Sequence, residues 1–235
     1  MLTSMRKYEK IEIANQLLDG ENYSNQRLSK FVAVESSFTN CSFENMKIND
    51  VCFGGGINQT KYIGCSFDNS SFSSNVVGVA RFEKCSFRNV KIKKMFCLEV
   101  DFIECVFSGE MKQGNFLGAF TPLGGVSTTN EIINNDFAEM NIGDVGFVDI
   151  DLRLQKFPKL DRLVKVLNIS DFLVESKKKA NTLVGNGLKD DVLKVIQILE
   201  LISEGGNNQM LVDKSLFPKN LLNAVNMIFE LYQQP

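Results

Sequence analysis

A large apolar residue recurs at every fifth position between Phe38 and Leu152. The series runs Phe38, Phe43, Ile48 and Phe53, slips by one residue to Ile57, and continues at Tyr62, Phe67, Phe72, Val77, Phe82, Phe87, Ile92, Cys97, Phe102 and Phe107, and later at Phe137, Ile142, Phe147 and Leu152. Five steps rotate a helical side chain by about 140°, and an odd step changes the face of a strand. Neither element gathers these residues on one side, so the chain must turn once per five residues.

A second pattern accompanies the first. A smaller residue stands two positions before each large one. Three near-copies show it, CSFEN at 41–45, CSFDN at 65–69 and CSFRN at 85–89. The two positions after the large residue are rich in Asn, Gly and charged residues, which suits a turn. Each pentad therefore predicts one short side followed by one corner.

The near-copies are also spaced regularly along the chain. Cysteines and phenylalanines recur at intervals of 20 residues, at Cys65, Cys85 and Cys105 and at Phe67, Phe87 and Phe107. If four pentads make one coil, these six residues form a structural ladder along one side of a square solenoid. Neighbouring coils would lie at the ordinary strand spacing of ~4.8 Å.

This pattern resembles the pentapeptide-repeat proteins, whose repeat is loosely Ala/Cys-Asp/Asn-Leu/Phe-x-x. The resemblance covers roughly half of the chain and implies a mainly β fold, a right-handed quadrilateral β-helix. One departure is the slip at Gly54-Gly55-Gly56, where we expect a tightened corner or a bulge because glycine tolerates such backbone.

The other departure is the stretch from Ser108 to Asn135, where few in-phase positions are apolar. Either the coil continues with poor matches, or a loop projects and the ladder resumes at Phe137. Five glycines and Pro122 favour a loop over 108–135. Loops on a rigid scaffold commonly carry binding function, which makes Phe116, Phe120 and Pro122 candidate contacts.

The two ends of the chain differ from the repeat. We assign 1–27 to an N-terminal capping segment, helix or strand, that covers an open strand edge, and 28–156 to the β-helix. From Phe157 the apolar spacing becomes helical, over 159–176, 188–204 and 221–232, which predicts a C-terminal α-helical module over 157–235. This module either caps the last coil or forms a homodimer, as C-terminal segments do in several members of the resembled family.

Charge is distributed unevenly, with a formal net of −4 over 28–155 and +2 over 156–235. Neither value suits a general nucleic-acid binder. One local cluster is basic and is opposed nearby by Glu83; it comprises Arg81, Lys84, Arg88, Lys91, Lys93 and Lys94. It is either a solvated repeat surface or a docking patch for an acidic partner.

Groups that would support catalysis are absent from the sequence. With no His, the chain lacks the commonest general base, the usual Ser-His and Cys-His pairs and most zinc sites. No phosphate-binding glycine motif occurs, and stacked cysteines would be too far apart for unstrained disulfides. We expect no enzyme activity, no cofactor and no metal, and a cytoplasmic protein without a membrane span.

A rigid rod without catalytic groups is best suited to binding. The sequence therefore predicts a non-enzymatic protein-protein interaction scaffold, with a role in resistance, immunity or defence, whose partner the sequence does not identify. The resemblance implies an alternative, a mimic of duplex DNA that protects or inhibits a type II topoisomerase such as gyrase. A purely structural role is the third hypothesis.

Overall fold

The computed structural model describes residues 9–121, 125–183, 186–203 and 208–232. The chain divides into two compact units, each with its own contacts. The first unit holds the described residues up to Gly146 together with Leu154–Pro158, and the second holds Phe147–Arg153 and the described residues from Lys159 onward.

The strands that build the first unit follow one another closely. In chain order they are Glu9–Ala14 (β1), Leu17–Asp19 (β2), Arg27–Val34 (β3), Ser37–Thr39 (β4), Lys47–Gly55 (β5), Thr60–Ile63 (β6), Ser71–Gly78 (β7), Ala80–Glu83 (β8), Ser86–Cys97 (β9), Val100–Ile103 (β10), Val106–Leu117 (β11), Ala119–Phe120 (β12), Thr128–Thr129 (β13), Ile132–Ile133 (β14) and Asp136–Val148 (β15).

These strands wind into a parallel β-solenoid with four sides. One side is a six-stranded sheet in the order β14-β10-β8-β6-β4-β2, and two sides come from a seven-stranded sheet in the order β1-β3-β5-β7-β9-β11-β15. The long strands of the second sheet bend at a corner, as at Lys94 in β9, where φ is 53°. The fourth side is joined by parallel bridges such as Ser42↔Ser66 and Ser66↔Ser86. The predicted square coil is confirmed.

The Phe ladder fills the interior as predicted. On the bridged side, stacked rings lie 4.6–5.8 Å apart between centroids with planes within 11° of parallel, in the series Tyr23, Phe43, Phe67, Phe87, Phe107, Phe137 and Phe157. The closest separations match the strand spacing of ~4.8 Å, so each ring sits directly on the ring of the previous coil. Offset-stacked and edge-to-face contacts between aromatic rings stabilise the interior beyond what the burial of their apolar area contributes.

The Cys column is also confirmed, and its thiols are buried and free. Each thiol is oriented toward a carbonyl of the preceding coil; Cys65 Sγ donates to Phe38 O at 3.3 Å and Cys85 Sγ to Tyr62 O at 3.3 Å. The column continues with Asn135, whose Nδ2 donates to Phe102 O at 2.8 Å. The small inward position can therefore also hold an amide side chain, because the amide finds hydrogen-bond partners there.

Corners explain the asparagines of the repeat. Residues two positions after the inward Phe take left-handed backbone, with φ of 56° at Asn45, 59° at Asn69 and 53° at Asn89. Asn and Gly adopt this conformation more readily than other residues. Lys84 and Lys94 take the same left-handed conformation, with φ of 53°, although lysine adopts it less readily than Asn or Gly.

The solenoid begins earlier than we expected. Residues 9–27, which we assigned to a separate cap, form strands β1 and β2 and pair in parallel with the next coil, with Leu18 opposite Phe38. Their apolar residues already follow the fivefold rule at Ile13, Leu18 and Tyr23. The first coil is therefore built by the same repeat, with Ile, Leu and Tyr in positions that later coils often fill with Phe.

The glycine slip lies in a longer coil and not at a tightened corner. The alternative that we gave, a bulge, is confirmed, because the register shifts by one residue where Val32 pairs with Cys52 and Val34 with Gly55. Phe38 pairs with Tyr62, so this coil has 24 residues instead of 20. Ile57, expected on the ladder, is 91% exposed. Glu35 holds the projecting segment, because its Oε1 accepts hydrogen bonds from the backbone N–H groups of Ile57 (2.8 Å) and Asn58 (3.2 Å).

The predicted loop over 108–135 is too long. β11 continues the coil to Leu117, with Met111 opposite Ile92 and Phe116 opposite Cys97. The phase shifts by one residue at Gly109, where φ is 102° and a Cβ would lie 2.3 Å from Val90 O. Of the described residues in this stretch, those at 118–121 and 125–131 lie outside the parallel strands of the coil, and they include the antiparallel pair β12–β13.

The described residues of the second unit form three α-helices and a two-stranded sheet. Ile169–Thr182 (α1), Asn186–Ser203 (α2) and Leu222–Tyr232 (α3) pack around a core that includes Val195, Leu199, Val225 and Phe229. The helical module is confirmed. Its first helix starts at Ile169 and not near 159, because Leu163–Val166 (β16) pairs antiparallel with Met210–Asp213 (β17). Leu152–Leu154, Lys214–Leu216 and Lys219–Leu221 are short 3₁₀ turns.

Candidate interaction surface

We first looked for metal-binding groups, membrane-spanning helices and cavities in the part of the chain that the structure describes. Within 9–121, 125–183, 186–203 and 208–232, no group of three or more Cys, Asp or Glu residues is arranged to hold a metal ion. No helix in these ranges is long and apolar enough to cross a membrane. Asp151 lines a cavity of about 280 Å³ in the second unit, but Arg153 bonds to its carboxyl and holds its pKa well below the usual range.

The basic cluster that the sequence places at 81–94 is divided among three sides of the solenoid. Arg81 and Lys84 lie on the six-stranded side, where Arg81 Nη1 contacts Asp101 at 3.1 Å and Glu131 at 2.5 Å. Arg88 lies on the bridged side, and its Nη1 donates to Ser86 Oγ at 2.6 Å. The cluster is not one patch, because the chain turns a corner every five residues.

Lys91, Lys93 and Lys94 remain together on one side of the seven-stranded sheet. Strand register adds further cations to them, since Arg27 pairs with Lys47 and Lys93 with Lys112. We call this side the basic side and define it by its cations Lys10, Arg27, Lys30, Lys47, Lys91, Lys93, Lys94 and Lys112. Four carboxylates share it, Glu9, Asp50, Glu110 and Asp144, which leaves a formal charge of +4. Its sign is opposite to the net charge of the chain, −2.

Glu110 shows how the lysines of the basic side affect a carboxylate. Lys112 Nζ lies 2.7 Å from Glu110 Oε1. The hydrogen bond from Lys112 lowers the pKa of the Glu110 carboxyl, and the charges of Lys112, Lys91 and Lys93 lower it further. A carboxylate placed among these lysines is thus stabilised in its ionised form, which is what an incoming acidic ligand would experience.

The adjoining side of the same sheet is largely apolar on its outer surface. Its apolar outward residues from the first unit include Val32, Val34, Cys52, Phe96, Leu98 and Leu117, and we call it the apolar side. Two polar residues share it, Glu12 beside Val32 and Asn115 beside Phe96. Phe96 is 44% exposed although it is a large aromatic residue. Cys52 is the one cysteine that is not buried. Sequence reasoning missed this side, because its residues alternate with the inward ladder and are brought together only by register.

The structure describes two of the three loop candidates, Phe116 and Phe120. Phe116 is a core residue with no exposed surface, so the prediction that it projects is wrong; its ring lies 5.5 Å from that of Phe102. Phe120 is half-buried in the β12–β13 pair, and Val126 is 85% exposed. Asn130 anchors the returning chain through Nδ2, which donates to Leu117 O at 2.8 Å. Pro122 lies outside the described residues.

Comparisons with known proteins add little to this picture. No family model matches the chain, and no curated protein matches it. Among solved structures, the chain matches that of trypsin-treated QnrB1, a plasmid-mediated fluoroquinolone resistance protein, with 14% identity over 75% of this chain and 92% of that chain. The TM-score is 0.17, which is too low to carry an argument.

The geometry of the coil is more informative. Four sides per coil and inward Phe and Cys columns agree with what the resemblance implies. The chain forms a mostly β, parallel β-solenoid with C-terminal helices. On this fold the two sides of the seven-stranded sheet, one basic and one apolar, are the surfaces on which binding function is best sought.

Proposed function

We propose that this protein is a non-enzymatic scaffold that binds an acidic partner protein through its basic side. The observation that carries the proposal is the register of the seven-stranded sheet, which brings cations from residue 27 to residue 112 onto one face. A surface with an excess of one charge steers partners of opposite charge and helps to fix the orientation in which they bind.

The scaffold suits this task because it is regular and tightly packed. Its inward rings are almost fully buried, and neighbouring coils are joined along every side by backbone hydrogen bonds or bridges. Cations on successive coils therefore stand at multiples of ~4.8 Å, a spacing set by the backbone. A partner that presents carboxylates along an extended segment would meet them with little reorganisation.

Affinity capture from the native cell, with matched charge variants, tests the proposal. The double variant Lys47→Glu/Lys91→Glu should lose the captured partner, whereas Lys61→Glu/Lys84→Glu, with the same change of charge on the six-stranded side, should keep it. Binding should also weaken as salt is raised. A partner lost equally from both variants would contradict the assignment to the basic side.

Mimicry of duplex DNA is the second candidate, and resistance to an antimicrobial would be one consequence of it. The acidic residues that favour it lie on the six-stranded side, where Asp101 and Glu131 share Arg81 as a partner. A gyrase supercoiling assay, with and without a quinolone, separates the hypotheses. Inhibition or protection that survives Lys47→Glu/Lys91→Glu but is lost in Asp101→Asn/Glu131→Gln would favour mimicry. A protein with neither a captured partner nor an effect on gyrase would be left with the structural role.

A further inference from the structure

Strand β7 crosses the basic side without a charged residue. Its first two outward residues there are Ser71, which is half-buried, and Ser73, which is exposed. Register places Lys47 beside Ser71 on one flank and Lys91 beside it on the other. Because serine side chains are short and lysine side chains are long, a shallow trough with a hydroxyl floor and cationic walls results. We call it the serine trough and define it by Lys47, Ser71, Ser73, Lys91 and Lys93.

The serine trough is one strand wide. Its walls stand on β5 and β9, which both pair with β7. The backbones of the two walls therefore lie roughly 9.6 Å apart, twice the strand spacing of ~4.8 Å. Lysine carries its ammonium group on a flexible four-carbon stem, so both walls reach the space above the Ser71 hydroxyl. A compact anion in the trough would meet donors from three strands.

Three of these donors have no hydrogen-bond or ion-pair partner among the residues that the structure describes. They are Ser71 Oγ, Lys47 Nζ and Lys91 Nζ. Glu110 stands beside Lys91 in register, but its Oε1 lies 2.7 Å from Lys112 Nζ. Lys91 acts on Glu110 through its charge alone, which helps to lower the pKa of that carboxyl.

Other carboxylates lie outside the serine trough. Asp50 follows Lys47 by three residues, roughly 10 Å along the strand at ~3.3 Å per residue. Around the preceding corner, two carboxylates already accept hydrogen bonds from serine hydroxyls, Glu44 from Ser66 at 2.8 Å and Asp68 from Ser86 at 2.5 Å. The trough thus keeps an excess of positive charge.

We propose that the serine trough binds a phosphate monoester, carried as phosphoserine or phosphothreonine by the acidic partner of the basic side. This inference rests on the proposed function and specifies the chemistry of the partner. A phosphate monoester carries a charge of about −1.5 to −2 at pH 7 and three strong acceptor oxygens. Two ammonium groups and one hydroxyl match it in charge and in number of donors, whereas a carboxylate, with a single negative charge, would leave one wall unpaired.

A nucleic acid matches the basic side less well than a single phosphate does. Its backbone is a continuous row of phosphates, and the cations of this side are interrupted by the carboxylates of Glu9, Asp50, Glu110 and Asp144. Like charges placed together weaken such a contact. The serine trough contains no carboxylate, so one isolated phosphate avoids this repulsion.

An NMR titration of the isotopically labelled full chain with synthetic peptides tests the site directly. The probe is a short peptide of glycine and alanine with one central phosphoserine, and the control peptide carries glutamate at that position. We expect the phosphoserine peptide to bind at least about tenfold more tightly and to shift the amide signals of Ser71 and Ser73. Equal affinities would overturn the proposal. So would a thymidine trinucleotide that shifts the same signals with equal or higher affinity.

Matched aspartate variants locate the site. Ser71→Asp should weaken binding of the phosphoserine peptide at least about tenfold, because its carboxylate would lie between the two lysines in place of the phosphate. Ser37→Asp is the control, since Ser37 is also half-buried and stands beside Lys61 on the six-stranded side, and it should leave binding unchanged. Circular dichroism checks that both variants keep the fold. Unchanged binding by a folded Ser71→Asp would overturn the assignment to the trough.

Affinity capture from the native cell separates this inference from the proposed function. Treatment of the lysate with a phosphatase should remove the partner from the captured fraction. A partner that survives the phosphatase but is lost in Lys47→Glu/Lys91→Glu would overturn the phosphate and leave the proposed function standing. A partner that survives this charge reversal would overturn the proposed function itself, while the peptide titration judges the serine trough on its own.

Discussion

Phe67→Ala should destabilise the solenoid more than any substitution at its end. Phe67 is 1% exposed, and its ring stacks on Phe43 at 4.9 Å and on Phe87 at 4.7 Å between centroids. Truncation of a buried Phe costs about 3–5 kcal/mol of unfolding free energy. Because stacked pairs contribute about 0.5–1.5 kcal/mol each beyond area and two are lost, we expect the upper part of that range.

Two further variants calibrate this value. Phe67→Leu fills most of the space and should cost only about 1–2 kcal/mol. Tyr23→Ala lies at the end of the same column, where the ring is half-buried and its one stacked neighbour is Phe43 at 5.0 Å. It should cost about half as much as Phe67→Ala, since less apolar area is buried there.

Urea denaturation followed by far-UV circular dichroism gives the free energies, and hydrogen exchange locates the loss. Coils of a solenoid contact only their neighbours, so Phe67→Ala should reduce protection most in the coils that contain Phe43 and Phe87. Equal costs for Phe67→Ala and Tyr23→Ala, or a loss of protection confined to α1–α3, would refute the reasoning.

Single positions carry three further predictions. Lys84→Asn should raise the thermal midpoint by the equivalent of about 0.5 kcal/mol, because φ is 53° there and Asn tolerates left-handed backbone; no change would contradict this. Maleimide should label Cys52 alone in the native protein, since burial raises the pKa of thiols such as Cys85; a second label before unfolding would be inconsistent. The hydrogen bond from the Ala138 N–H lowers the pKa of the Asp136 carboxyl in the folded protein. The ionised carboxylate therefore stabilises the fold at pH values above its pKa in the unfolded chain, about 3.9, and this stabilisation is lost as the pH falls through the lower pKa of the folded protein. Asp136→Asn should therefore flatten the dependence of urea midpoint on pH below about 4, and an unchanged slope would argue against this role.

The coil could be predicted from the sequence because its rule is local. Five-residue spacing, small residues two positions before each Phe and Asn at the corners all follow from one repeating backbone, and each is visible within a pentad. Sequence analysis missed the first coil because Ile13 and Leu18 match the repeat less well than Phe does, although both keep the five-residue spacing. Met111 and Phe116 escaped because one residue is missing near Gly109, which shifts the phase without ending the coil.

The surfaces could not be predicted in the same way, because they depend on register between coils. Arg81 and Lys91 are ten residues apart, yet they lie on different sides, whereas Arg27 and Lys47 lie side by side on adjacent strands. A cluster of charges along the sequence is spread around a solenoid, and a patch on its surface is assembled from residues about 20 positions apart. Four extra residues between Cys52 and Thr60 change that interval to 24 for one pair of coils, so a fixed interval of 20 would misplace residues across this point.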